Sequence, residues 1–160
     1  MIAGDSHANW VSDLIWLDTH PYDPATGSGS IGVEFAGTAV SSPSPAGQNV
    51  TIKAANNASD YLINDNRELQ WSELYYRGYF ELHISQKSIR ANYFGLPNIL
   101  KRNSEEISLA NFTVLDGKNA LERDPVAGGG VVENGALRFG KTVQTNVTNN
   151  TDTGTFSSVK

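Results

Sequence analysis

The chain of 160 residues carries 17 acidic and 12 basic side chains, a formal net charge of -5, and no basic cluster longer than Lys101-Arg102, which argues against a nucleic-acid or anionic-membrane surface. It has no cysteine, so a disulfide framework, a thiolate zinc site and a cysteine nucleophile are excluded. Its 39% hydrophobic content is low for a self-sufficient globule, and no apolar run approaches the roughly 20 residues that span a bilayer.

Met1-Ile2-Ala3 reads as the end of a buried strand whose partners lie outside the sequence. Residues 8–17 place Trp10, Leu14 and Leu17 near one helical face with Val11 and Ile15 beside them, which predicts a helix capped by Ser6 or Asn9, its tryptophans Trp10 and Trp16 packed in a core. Residues 18–30 hold two prolines and two glycines and read as loop. A short strand is expected at 32–36, followed by a turn region through Pro45. Ile52, Ala55 and Leu62 favour a helix between Gly47 and Asn66.

Alternation then predicts strands at 79–84 and 89–93, joined by a hairpin turn at Ser85–Ser88, and a third at 108–115 stopped by Asp116-Gly117. The domain is expected over residues 1–125. Residues 126–160 are read as a polar flexible tail, with a final hairpin at 131–140 around Asn134-Gly135 as an alternative.

The chemistry concentrates in Gly4-Asp5-Ser6-His7. A carboxylate and an imidazole two residues apart, after a glycine that lets the chain turn, can converge on one metal ion or phosphate. A strand running into this loop would set both at the carboxyl edge of a sheet. The oxygen–nitrogen pair suits iron, manganese or zinc, while calcium has use for the carboxylate alone. The competing account is an aspartate that caps the next helix and a histidine bonded locally. His20 falls in a loop and His83 on a strand face opposite Phe80, Leu82 and Ile84, and both read as surface residues. Arg77 has two readings, phosphate binding or pairing with Glu73. Ser41 and Ser42 have no general base near them in sequence.

Gly4-Asp5-Ser6-His7-Ala8-Asn9-Trp10 with Asp13-Leu14 resembles the last metal-binding segment of the PhoD-like alkaline phosphatases, a branch of the calcineurin-like metallophosphoesterases. Val33-Glu34-Phe35-Ala36-Gly37-Thr38, Ser41-Ser42-Pro43 and Arg77-Gly78-Tyr79 continue the resemblance in order. It implies an α/β layered sandwich with mixed and antiparallel strands, of which this chain is the C-terminal part. It also implies that Asp5 and His7 are metal ligands or immediate metal neighbours, and that iron and calcium activate water against a phosphate ester.

The expected partners are a phosphate-ester small molecule, monoester or diester, and the preceding part of the same domain, which would supply the other ligands. The chain alone is therefore expected to be inactive. Sequons at Asn49, Asn57, Asn111, Asn146 and Asn149 lean toward a secreted, extracellular or cell-wall glycoprotein. The rival account is a non-catalytic, β-rich binding or structural domain of a secreted protein.

Overall fold

The computed structural model describes residues 1–18, 20–123 and 132–140, with the backbone of 146–150 and 155–159. The elements are β1 (Ile2–Ala3), β2 (Asn9–Ile15), β3 (Ser30–Ala36), α1 (Ile52–Asp65), β4 (Leu69–Glu73), β5 (Arg77–Ile84), β6 (Ser88–Leu96), β7 (Ile107–Leu115), β8 (Ala136–Leu137), β9 (Asn146–Asn150) and β10 (Thr155–Val159). They form a five-stranded sheet in the order β1-β3-β2-β4-β8, a three-stranded sheet β5-β6-β7 and a ribbon of β9 with β10.

The expected helix over 8–17 is instead strand β2, paired antiparallel to both β3 and β4. Trp10 and Leu14 are four residues apart, a spacing that satisfies a helical face and a strand face alike. What separates the two is burial on both sides. Val11 enters the core between the sheets, while Trp10 packs on the opposite face against α1 residues such as Leu62, so apolar residues recur at odd and even positions. Trp16 and Leu17, expected on the packed helix face, lie past the strand's end and are 63% and 73% exposed.

Strand β1 does have a partner. It pairs parallel to β3, Ile2 with Phe35 and Ala3 with Ala36, and the Met1 amine donates to the Val33 carbonyl at 2.5 Å. Strand β4 carries no sequence signal of comparable strength, because Gln70, Ser72 and Glu73 interrupt Leu69 and Trp71. The register slips beside Val11, which pairs with Trp71 while Ser12 pairs with Leu69. The extra residue, Gln70, makes a bulge. It turns Trp71 into the core between the sheets and Leu69 into the helix-side cluster.

The two sheets pack face to face. Val11, Phe35 and Trp71 meet Ala91, Tyr93, Leu109 and Phe112, with Trp71 edge-on to Tyr93 at 4.9 Å and Phe80 stacked on Tyr93 at 5.0 Å. Such pairs add about 0.5–1.5 kcal/mol each beyond area burial. The α component is the single described helix, on the other face of the larger sheet. Thr51 caps it by accepting from the Ala54 amide. Arg138 closes its other end by donating to the Ile63 and Asn66 carbonyls, with Nε 2.8 Å from the Leu69 carbonyl.

The hairpin of β5 and β6 forms with Ile84 opposite Ile89 and a Ser85–Ser88 turn. Of the hairpin expected at 131–140, residues 132–140 are described, and they pair with other strands. Val132 bridges Ala110, and Ala136 and Leu137 pair with β4, so this segment ties the two sheets together. The Asn134 carbonyl accepts from Trp71 Nε1 at 2.8 Å, and its amide donates to Ser108 at 3.0 Å. Within the stretch expected as a flexible tail, β9 pairs antiparallel to β10; residues 124–131, 141–145, 151–154 and 160 lie outside those described.

Candidate metal loop and its frame

Strands β1, β3 and β4 run in one direction and β2 opposes them. Three carboxyl ends therefore share one sheet edge: Ala3 leading to Asp5 and His7, Ala36 leading to Thr38, and Glu73 leading to Arg77. Because β3 lies between β1 and β2, residues 4–8 must cross the end of β3. They do so with Asp5 at φ 70° and His7 at φ 57°. The left-handed region costs a residue with a Cβ on the order of 1–2 kcal/mol, and non-glycine residues held there cluster at functional sites.

The loop is held from beneath by Arg77. This arginine is buried, and both terminal nitrogens donate to main-chain carbonyls: Nη1 to His7 at 2.9 Å and Ser42 at 3.1 Å, Nη2 to Leu74 at 3.2 Å and Tyr75 at 3.4 Å. Neither reading offered for Arg77 describes these bonds. Its partners are carbonyl oxygens, and it makes no ion pair with Glu73. Burial lowers its pKa, an effect opposed by the Glu73 charge.

Glu73 is fully buried and turned inward. Oε1 accepts from the Tyr75 amide at 2.5 Å and the Tyr76 amide at 2.9 Å, and Oε2 accepts from Asn9 Nδ2 at 3.2 Å. Burial pushes its carboxyl pKa up, against these hydrogen bonds and the Arg77 charge. Asn9 completes the frame, its Oδ1 accepting from the Thr38 amide at 3.0 Å. From the sequence, Asn9 is a candidate helix cap and a member of the family-like Gly4–Trp10 segment, with no buried framing role. The available signal was parity, since a polar residue between buried Ala8 and Val11 in a strand needs a buried partner.

His7 is half-buried, with Nδ1 3.0 Å from the Pro43 carbonyl. A carbonyl only accepts, so Nδ1 carries a proton and Nε2 is the nitrogen left for a ligand. Asp5 is exposed. Among the described residues no group of three or more histidines, aspartates or glutamates is placed to hold a metal. The loop fits a metal as two donors of a larger set, with the His7 ring oriented through its other nitrogen, as metal-binding histidines are.

The remaining candidates stand apart. His20 is exposed in the segment joining β2 to β3, which leaves and rejoins the sheet at the opposite edge. His83 is exposed near the far end of β5 from Arg77, with Glu81 3.6 Å away. Ser41 is exposed and Ser42 contributes its carbonyl to Arg77. Asp13 is fully buried at the other end of β2, ion-paired with Arg123 and accepting from Tyr22 at 2.8 Å. Two clefts flank the 42–47 turn. One, of about 430 Å3, is bounded by Pro43, Arg77, Gln48 and Asn98; the other, of about 510 Å3, adjoins Ser6.

The PhoD-like phosphatase family model matches residues 1–93, a stretch that contains the Gly4–His7 loop, Asn9, Glu73 and Arg77. The chain belongs to the PhoD-like phosphatase family. Its fold is similar to a solved structure titled "Structure of PhoD", with a TM-score of 0.57 at 20% identity, over 85% of this chain and 23% of that one. The chain thus spans under a quarter of that PhoD structure. No curated protein matches the chain. The family match ends within β6, so β7 and the 132–140 segment that tie the sheets together lie beyond it.

Proposed function

We propose that this chain forms one wall of a metal-dependent phosphatase centre that hydrolyses phosphate monoesters or diesters, with Asp5 and His7 Nε2 as two of the metal ligands. Iron and calcium are the metals the family resemblance favours. When bound, they would activate water and offset charge on the phosphoryl oxygens. The observation that carries the reading is the pairing of His7 Nδ1 with the Pro43 carbonyl, in a loop whose carbonyls are gripped by Arg77.

The chain's own residues then have distinct tasks. Asp5 supplies negative oxygen at the solvent-facing edge. His7 supplies one nitrogen while Pro43 fixes the ring. Arg77, Glu73 and Asn9 hold the loop and touch no substrate. Two ligands do not make a multinuclear centre, so other residues of the same domain complete it and the 160-residue chain alone is inactive. Export is part of the same proposal, since exposed Asn49 and Asn57 lie in glycosylation sequons.

Metal content and para-nitrophenyl phosphate turnover, measured on this chain and on the reading frame extended upstream, test the reading. The chain alone should not exceed the metal-only control, whereas the extended protein should turn over and lose both metal and rate on Asp5→Ala or His7→Ala. Chelator-sensitive turnover by the chain alone would refute its inactivity. Full metal and rate in both variants of the extended protein would refute the site.

A further inference from the structure

The cleft of about 510 Å3 beside the loop has an unusual wall for an enzyme that handles a charged phosphate. Ser6 forms its rim, and Trp10, Pro45, Ala58, Tyr61 and Leu62 form much of the rest, with no charged side chain lining it. Ser6 sits between Asp5 and His7 in the chain, so the cleft opens within one residue of both candidate ligands. The volume is that of a small-ligand site.

Its walls are fixed from outside. Trp10 Nε1 donates to Glu34 at 3.2 Å. Ser44 Oγ, beside Pro45, donates to the Leu74 carbonyl at 2.5 Å. Tyr61 nonetheless leaves 68% of its surface exposed at the mouth, which is the aromatic surface a bound ring would cover. The cleft across the turn differs, since Arg77, Gln48, Asn49 and Asn98 line it. An apolar wall cannot solvate a phosphoryl group, so a ligand that uses both cleft and loop must be polar at one end and apolar at the other.

We propose that this cleft receives the apolar organic group of a phosphate ester, an aryl or branched-alkyl alcohol, with the phosphoryl end directed to Asp5 and His7. The inference rests on the metal-loop reading for the phosphoryl end alone; the cleft itself can be tested without phosphate or turnover.

The probe is 1-naphthol, titrated into the 160-residue chain and followed by Trp10 fluorescence and by its own proton resonances. Trp71 is sealed between the sheets and Trp16 lies at the opposite edge. Saturable binding should weaken at least tenfold in Ala58→Phe, which fills the cleft, and in Ala46→Glu, which sets a carboxylate on its wall from an exposed turn. Leu100→Ala, at the other cleft, should leave it unchanged. Absence of binding, or binding indifferent to both cleft variants, overturns the proposal and assigns the apolar wall to covering polypeptide. In the reading frame extended upstream, which supplies the remaining ligands, added Mn2+ should broaden the resonances of bound naphthol, and the broadening should vanish in Asp5→Ala and His7→Ala. Naphthol binding without that broadening would overturn the metal-loop reading and leave the apolar site standing.

Discussion

The two ends of the five-stranded sheet are each built on a buried carboxylate and an arginine, yet they are wired differently. At the edge away from the loop, Asp13 takes Arg123 directly, and its oxygens also receive the Tyr22 hydroxyl and the Leu121 amide at 3.3 Å. Gln70 then donates to Tyr22 at 3.0 Å. Every strong group there is answered by another, and the cluster ends in itself. At the loop edge, Glu73 is satisfied by amides and Asn9, which leaves Arg77 free to grip the carbonyls of His7 and Ser42. That network ends outward, in the main chain of the half-buried His7, one position past Ser6, and of Ser42. A buried arginine paired with its acid locks a fold; one turned onto main-chain carbonyls shapes a loop.

The largest effect should come from breaking the closed end. Asp13→Ala strands the Arg123 charge, the Tyr22 hydroxyl and the Leu121 amide together, and removing one member of a buried pair costs about 3–5 kcal/mol. Urea unfolding should show that loss, while the His7 ring resonances stay where they were. A loss below about 1 kcal/mol would mean that the Asp13 cluster behaves as a surface pair and that the contrast is false.

Arg77→Met comes next, at about 2–3 kcal/mol. Three of its four carbonyl bonds are only partly buried, so water can replace some of them. Its distinguishing mark is local. The His7 resonances should move and Mn2+ affinity should fall, with Arg77→Lys recovering part of both. If stability falls and His7 is unmoved, Arg77 is a second closed cluster and frames no loop.

Glu73 gives the comparison a pH axis. Burial raises its folded pKa above the ordinary 4.5, so between the two values the folded state holds a proton that the unfolded state has released. Its contribution to stability therefore falls as pH rises through that window and is recovered on acidification. Glu73→Gln should flatten this part of the stability profile, measured by urea unfolding from pH 4 upward in steps of about one unit. An unchanged slope would remove Glu73 as its source.

Much of this was legible in the residues, and the failures have physical causes. The hairpin of β5 with β6 and the strand β7 bury one face, so their period of two shows plainly. Strand β2 is covered on both faces, by the opposite sheet and by α1, and its apolar residues lost the alternation that marks a strand. Strand β4 hid because two of its buried polar residues are answered by groups far away in sequence, Gln70 by Tyr22 and Glu73 by Asn9. The Gly4–His7 loop stood out through its residue types and its place after a strand. Its frame did not, because Arg77 bonds carbonyls, and any residue type can supply a carbonyl.

The smallest effect is expected at His83, the histidine on a strand rather than in the loop. Its side chain is 64% exposed, with Glu81 3.6 Å away, an arrangement worth about a few tenths of a kcal/mol even with the imidazole charged. It lies on the solvent face of β5, whose Arg77 end reaches the loop six residues away along the strand. His83→Ala should therefore leave the urea midpoint, the His7 resonances and the Mn2+-induced broadening as they were, whereas His7→Ala should abolish the broadening with little change in the midpoint. The pair of variants separates a histidine that the fold merely carries from one whose ring the fold has oriented. Equal loss of broadening in both would place the cation somewhere other than the loop that β1 leads into.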